Sequence, residues 1–446
     1  MVKKITIFAA LIAGLILLIH NVYHYPVNAG YDAVLHMRYA KIVSFEWRIP
    51  KYSETAENYN PPLFYLVSGL VGRVAGYLTG QDFFTALKAW QYAGILFSIG
   101  SLFLWFKIFK HLNPKNKLGS YVFIALLFSL PVFHKTIVMF SIELFFMFLT
   151  SLIFWYFITV FQPKPSLSKI IILSGLIVIN LLTRMSAIVT ISTMIIGMFG
   201  LGYIKKLNWR KVINYLAVLL ILTAIGTSWF YYGRRHEDIY NVGEGKESEI
   251  PFFKLQPLSF YTNIPFKFMM TYPFRLTVPL NEMIPLYYSE FWGDFWNFYS
   301  QRRYGISVDA RKKDHYLSSP ERVANLALQN QVNLPFTLLM ITSFIYFIIQ
   351  AIKGFLIKSN HKWLNETIFL AFSCLTWLGF LALLTKFPSW KSDSVKASYM
   401  LYNIPIFVYF TVVFLFEVLK KHKVIFIPVA IYLILASGIN LWWCWY

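Results

Sequence analysis

Apolar residues in this chain collect in long unbroken runs. Stretches such as ITIFAALIAGLILLI (5–19) and YLAVLLILTAIGTSWFYY (215–232) place apolar side chains on every face of a helix and show no period-two alternation. A helix on the surface of a soluble domain keeps one polar face, and barrel strands alternate over about ten residues. Continuous runs near the length of a bilayer crossing are helices that satisfy their own backbone hydrogen bonds in lipid. Eleven spans are predicted, over 4–22, 86–108, 118–138, 143–161, 169–183, 186–204, 212–232, 331–352, 364–385, 398–418 and 424–443. The first is read as a retained span rather than a cleaved signal peptide, because so many spans follow it.

One more apolar stretch, PLFYLVSGLVGRVAGYLT (62–79), contains Arg73 and the glycines Gly69, Gly72 and Gly76. These make a poor lipid-spanning helix, and the stretch is expected to lie in the membrane interface instead. Every later basic loop then falls on one side. On this threading the cytoplasmic loops carry 18 Lys and Arg but only Glu366 and Glu417 among the 20 acidic residues. The lysine and arginine bias sets the orientation. The acidic bias is additional to that rule and directs the search for chemistry to the extracytoplasmic face.

The fold class that results is an all-α polytopic membrane protein. It divides into a membrane module over 1–232 with its first loop at 23–85, a long aromatic extracytoplasmic loop over 233–330, and a C-terminal four-helix membrane module over 331–446. Composition agrees: 57% of the 446 residues are apolar and only 14% charged, too greasy for a soluble protein of this size. The formal net charge of +21 sits in short inter-helix loops, not on a soluble module with base-stacking aromatics, which argues against nucleic acid as a partner. Cys374 and Cys444 make neither a disulfide scaffold nor a metal cluster. Walker A, Rossmann and His-Glu-x-x-His motifs are absent.

Against so apolar a background the ionisable residues stand out. The first loop concentrates them: GYDAVLHMRYAKIVSFEWRIPKYSETAENYNPPLFYLV (30–67) holds Asp32, His36, Glu54 and Glu57 among others. Asp32 and His36 are four apart and share a helix face. A partly desolvated carboxylate at Asp32 suits a general base or a metal ligand, and the plain alternative is an N-cap for a helix over 33–44. Glu143 opens an otherwise apolar span, where an ionisable group is either functional or placed by the helix dipole. Arg184 in NLLTRMSAIVT interrupts a run of apolar residues between two spans and suits a bidentate grip on phosphate; a snorkelling arginine is the alternative. Lys391, Asp393 and Lys396 open the tenth span, and a cation there suits an anionic headgroup. Tyr399 in the same segment, and Trp292 and Asp294 in the aromatic stretch LYYSEFWGDFWNFYSQRRYG (286–305), complete the expected substrate-binding set with His36, Arg184 and Lys396.

Taken together, Asp32 beyond the first helix, His36 four residues on, the Pro61-Pro62-Leu63 turn and Glu143 at the start of a later span resemble the GT-C fold glycosyltransferases. The pattern is similar to that of the protein O-mannosyltransferases and the aminoarabinose-lipid A transferases, and the Asp-x3-His spacing to that of the dolichyl-phosphate-glucose glucosyltransferases. Ala33 stands where the mannosyltransferases have Glu, and Glu143 where the family usually has Asp.

The resemblance implies a GT-C-like bundle of about eleven transmembrane helices, with interfacial helices in the first extracytoplasmic loop. It further implies a polyprenyl-phosphate-linked sugar as donor and a glycan, lipid or protein as acceptor. Asp32 and Glu143 are the implied catalytic carboxylates, and Arg184 the implied contact to the lipid phosphate. No resident cofactor and no metal ligand set is expected, although a divalent metal is compatible with the family. A prokaryotic cell membrane is favoured over the endoplasmic reticulum. The rival readings are a transporter or flippase, for which inverted repeats and midplane polar helices are expected and not found, and an inactive scaffolding homologue.

Overall fold

The computed structural model describes residues 2–51, 53–235, 257–273, 282–296, 299, 320–357, 361–386 and 395–446. Among these residues every regular element is helical. Helix α1 (Val2–His24) leads into the first loop, which folds into α2 (Ala33–Glu46), a 3-10 turn at Ala56–Tyr59, and α3 (Leu63–Thr79). Then follow α4 (Lys88–Leu112), α5 (Lys117–Phe128), α6 (Pro131–Val138), α7 (Glu143–Trp155), α8 (Leu167–Leu181), α9 (Ile188–Tyr203) and α10 (Trp209–Arg235). The second half contains α11 (Met283–Trp292), α12 (Pro320–Ile357), α13 (His361–Lys386), α14 (Ile404–Glu417) and α15 (Lys423–Trp443), with a 3-10 segment at Ala397–Asn403 leading into α14.

Eight helices among the described residues are long and apolar enough to cross a membrane, nine if α5 and α6 form one span. The chain is therefore an integral multi-pass membrane protein. The expected straight span over 118–138 is instead two helices bent by 59°. Leu130 is extended, as the residue before a proline prefers, and Pro131 starts α6 at its favoured first turn. The span expected over 169–183 is the 15-residue α8, short for a crossing.

The stretch 62–79 is the 17-residue helix α3, also short of spanning length. Its glycines have a packing reason that the sequence alone does not reveal. A Cβ at Gly69 would collide with the Ala40 carbonyl and Ser44 of α2, and one at Gly72 with the Leu87 side chain. Arg73 donates to the Ser44 carbonyl and lies over the Phe45 ring at 4.7 Å. Helices α2 and α3 thus form a tight pair, and the Leu63 amide ties it to the Leu182 carbonyl at 2.9 Å. That bond sets the end of the first loop beside the turn that holds Arg184.

Of the long loop, the described part includes α11, which is buried rather than solvated. Trp292 is 1% exposed and donates through Nε1 to Thr337 Oγ1 at 2.7 Å. Glu290 is fully buried and forms an ion pair with Lys135 of the short helix α6. Its carboxylate also accepts a hydrogen bond from the Tyr31 hydroxyl, one residue before Asp32. An isolated charge in such surroundings would be costly. The pair therefore acts as an internal clamp between α6, α11 and the first loop.

Candidate active site

Asp32 does not cap α2. Its backbone is left-handed, φ 53°, and its side chain makes no cap hydrogen bond. Aspartate tolerates this conformation better than most residues, and an outlier of this kind is a pointer to a functional site. Freed from capping, the carboxylate turns to Lys396, whose Nζ lies 2.7 Å from Asp32 Oδ2. The two residues are 364 positions apart in the chain. Burial would push the Asp32 carboxyl up, but the Lys396 ammonium, by charge and by hydrogen bond, together with His36, holds it below the ordinary aspartate range. Burial opposes the charge on Lys396 in turn, yet Tyr399 and Asp32 keep its pKa well above the ordinary lysine value.

A second ion pair faces the same space. Arg184 Nη1 lies 3.1 Å from Glu143 Oε1, and the side chains are 15% and 7% exposed. Tyr399 stands between the two pairs, its ring 5.0 Å from the Arg184 guanidinium and 5.3 Å from Lys396 Nζ. Asp32, His36, Glu57, Glu143, Arg184 and Tyr399 line one cavity of about 330 Å³. Its other side is apolar, with Ile188 and Val189 of α9 and Phe380, Ala382 and Leu383 of α13. A charged chamber with an apolar flank between membrane helices suits an amphiphile with an anionic head.

No protein-family model and no curated protein sequence matches the chain. Among solved structures it is similar to an Archaeoglobus fulgidus oligosaccharyltransferase, crystallised with Zn and sulfate. That match has a TM-score of 0.53 at 12% identity and covers 98% of this chain and 53% of the other. The fold is GT-C. The chain spans about half the length of that oligosaccharyltransferase. Two structures of ArnT from Cupriavidus metallidurans, one apo and one bound to undecaprenyl phosphate, each give a TM-score of 0.39. Their identities are 14% and 13%, and the matches cover 96% and 91% of this chain and 79% and 76% of theirs.

Within this GT-C fold the structure brings together Asp32, His36, Glu143, Arg184, Lys396 and Tyr399, all expected from the sequence. Two expected residues lie elsewhere. Trp292 borders a separate apolar cavity and is held in the core by Thr337. Asp294 lines another cavity, with Lys135, Tyr299 and Arg322, and its carboxylate accepts from the Tyr299 amide at 2.9 Å. The physical reason is the same for both: α11 turns its aromatic face into the bundle, which carries its C-terminal end away from the chamber. Lys391 and Asp393 lie outside the described residues.

The structure adds residues that the sequence reading left undecided or missed. Glu57 enters the chamber and Glu54 does not: Arg48 holds Glu54 at 2.6 Å at the surface. The 3-10 turn instead points Glu57 inward, 3.7 Å from His36 Nδ1, with Asn60 Nδ2 donating to it at 2.6 Å. Burial, aided by the charges of Asp32 and Glu143, pushes the Glu57 carboxyl above its ordinary value in spite of His36 and Lys396. Tyr59, Asn60 and Tyr402 join the same wall. Tyr402 follows Tyr399 by three, a helical spacing that offered a signal; nothing local marked Tyr59.

Among the described residues no group of three or more His, Cys, Asp or Glu is placed to hold a metal ion. Asp32 and Glu143 each face a side-chain cation instead, so the residues as arranged do not form a divalent-metal site.

Proposed function

We propose that the protein transfers a sugar from a polyprenyl-phosphate donor to an acceptor on the extracytoplasmic side of the membrane. The observation that carries this reading is the pairing of two carboxylates with two cations around one chamber: Asp32 with Lys396 and Glu143 with Arg184. The GT-C fold and the apolar flank beside Arg184 support it. The excess of acidic residues on that side of the expected threading supports an extracytoplasmic site, and the lysine-rich loops of a compact chain favour a prokaryotic cell membrane.

In this reading the donor phosphate binds against Arg184 and its lipid chain leaves along Ile188, Val189, Ala382 and Leu383. Asp32, kept ionised, accepts the proton of the acceptor hydroxyl while that oxygen attacks the anomeric carbon. The bond from that carbon to the phosphate oxygen breaks, and its electron pair leaves on the phosphate. Arg184 and Lys396 stabilise the charge that develops there, as preorganised cations aimed at the leaving phosphate. His36 and Glu57, with Asn60, supply polar groups for the sugar.

The test is sugar release and transfer from a panel of radiolabelled polyprenyl-phosphate sugars by the purified protein, beside Asp32→Asn and Arg184→Ala. Turnover that Asp32→Asn abolishes, with the fold intact, supports the reading. Absence of turnover and of binding with every donor favours a transporter, and turnover that survives Asp32→Asn removes Asp32 as the base.

A further inference from the structure

Neither member of the Asp32–Lys396 pair is fixed by the interior of a regular helix. Asp32 is left-handed at the start of α2, two residues after Gly30 at φ 130°. Lys396 is extended, φ −119°, ahead of the 3-10 segment Ala397–Asn403. Each therefore needs a tertiary tie to fix where its side chain starts, and both ties lead to one carboxylate that does not line the chamber.

That carboxylate is Glu290 of α11, which is 0% exposed. Its Oε1 accepts from the Tyr31 hydroxyl and forms the ion pair with Lys135. Its Oε2 accepts from the Trp296 amide at 3.2 Å, and the Trp296 indole donates through Nε1 to the Val395 carbonyl at 2.8 Å. Tyr31 immediately precedes Asp32, and Val395 immediately precedes Lys396. The 2.7 Å contact between Lys396 and Asp32 then closes a ring of contacts that passes through Glu290. Tyr31 also braces the pair directly, with its aromatic ring 5.1 Å from Lys396 Nζ. Lys135 holds the corner, because its Nζ donates to the Gly293 carbonyl at 2.8 Å, in the turn between Glu290 and Trp296.

Stability alone does not call for this arrangement. A buried ion pair often does no better for the fold than apolar residues of similar volume. What a carboxylate adds is direction: of its two oxygens, one here holds the segment of the proposed base and the other the segment of its cation. Hydrogen bonds weaken steeply away from their best length and angle, and a misplacement of about 1 Å from a change far from the chemistry can cost about 100-fold in rate. We infer that Glu290 is a positioning residue for the proposed base: through Tyr31 and through Trp296 it sets the distance between Asp32 and Lys396. This rests on the transferase reading and deepens it. Arg184 lies outside the ring, held by Glu143 of α7, so donor binding does not depend on Glu290.

The experiment compares the purified full chain with two variants. Tyr31→Phe keeps the aromatic ring and removes only the hydroxyl. The paired replacement Lys135→Met with Glu290→Leu refills the buried space with apolar side chains. The first readout needs no substrate: lysines are acylated with limiting acetic anhydride, and mass spectrometry gives the rate at Lys396 relative to the exposed Lys41. Asp32 favours the unreactive ammonium of Lys396, so a loosened pair is acylated faster, and Asp32→Asn gives the fully released rate. Both variants should raise the relative rate by about threefold or more, the effect of about half a pKa unit.

The second readout is kinetic, with the radiolabelled polyprenyl-phosphate sugar that the wild type turns over. In both variants kcat should fall by about ten- to hundredfold, with the donor KM within about twofold of wild type. The acid limb of the pH–rate profile should move to higher pH, because Asp32 loses part of the ammonium that holds its carboxyl low. The paired variant separates position from stability: it should unfold nearly as the wild type does and keep the kinetic defect. Lys396 acylation at the wild-type rate in both variants overturns the inference, as does a paired variant with wild-type kcat and acid limb. Faster acylation in the variants, beside a wild type that transfers sugar from no donor, would instead sink the transferase reading and leave the hold of Glu290 on the pair standing.

Discussion

Replacing Arg184 by Met, Glu143 by Gln, and then both, separates what the inner ion pair contributes to the fold from what it does for an anionic ligand. At 3.1 Å and an effective dielectric of about 20, the attraction between the two charges is about 5 kcal/mol. Desolvation of the two ions costs several kcal/mol each, so the intact pair is close to neutral for stability, whereas a stranded partner costs about 3–5 kcal/mol. The chamber admits water, which puts Arg184→Met at about 3 kcal/mol, the lower end of that range. Glu143→Gln should cost less, about 2 kcal/mol, because the stranded guanidinium still rests over the Tyr399 and Phe146 rings. The double variant should lose only about 1–2 kcal/mol, a coupling of about 3 kcal/mol between neighbours.

The assay is unfolding in mixed micelles by titration with a denaturing detergent, followed by tryptophan fluorescence, with and without a polyprenyl phosphate. At a ligand concentration a hundred times its Kd the expected stabilisation is about 2.7 kcal/mol. It should appear in the wild type, be undiminished in Glu143→Gln, where the carboxylate no longer competes for Arg184, and vanish in Arg184→Met. Coupling below about 0.5 kcal/mol would mean that the pair does not form. Ligand stabilisation that persists in Arg184→Met would remove Arg184 as the phosphate contact.

Three further outcomes follow from the same geometry. Lys396→Met leaves burial to push the Asp32 carboxyl up with only His36 opposing it, so the acid limb of the pH–rate profile should move to higher pH and kcat fall by about 10²–10³-fold; an unmoved limb in initial-rate measurements would separate Lys396 from Asp32. Glu57 has a raised pKa in the fold, so its contribution to stability is present below the ordinary glutamate value of 4.5 and is lost as pH rises through the folded value. Glu57→Gln should abolish that slope in unfolding titrations across pH, and a slope retained in the variant would assign it to another group. Lys135→Met or Glu290→Gln should each destabilise by about 3–5 kcal/mol, and the paired replacement Lys135→Met with Glu290→Leu should recover most of the loss in the same unfolding assay.

Much of the candidate site was legible because lipid makes charge conspicuous. Asp32, His36, Glu143 and Arg184 interrupt or border apolar runs, and residues placed there need a partner or a function. Their partners were not legible. The pairing of Lys396 with Asp32 closes across nearly the whole chain, and no local spacing encodes it. Glu57 and Glu54 look alike in the sequence; a 3-10 turn and the reach of Arg48 decide between them. The surroundings of Trp292 and Asp294 were not legible, because aromatic composition says that a segment will be buried, not against what. In the fold, the apolar runs gave most of the helices, yet a window long enough to find a span passes over the break at Pro131 and over Lys135, whose charge in the middle of an apolar run was the clue to the Glu290 clamp.

The arrangement of the two pairs also bears on the order of events in the proposed transfer. Lys396 balances Asp32 and Arg184 balances Glu143, so neither cation waits unopposed for substrate. An incoming phosphodiester must share one of them. Arg184 is the easier to share, because Glu143 holds it through a single Nη1 contact and a guanidinium has five N–H donors. Lys396 is committed to Asp32 until Asp32 takes the acceptor proton. At that moment the carboxylate charge is gone, and the ammonium is released toward the phosphate just as the leaving group gains its second negative charge. Proton transfer and leaving-group stabilisation are then one event, because the same lysine serves both, and an isosteric Asp32→Asn, neutral throughout, removes the base together with the timing of that release.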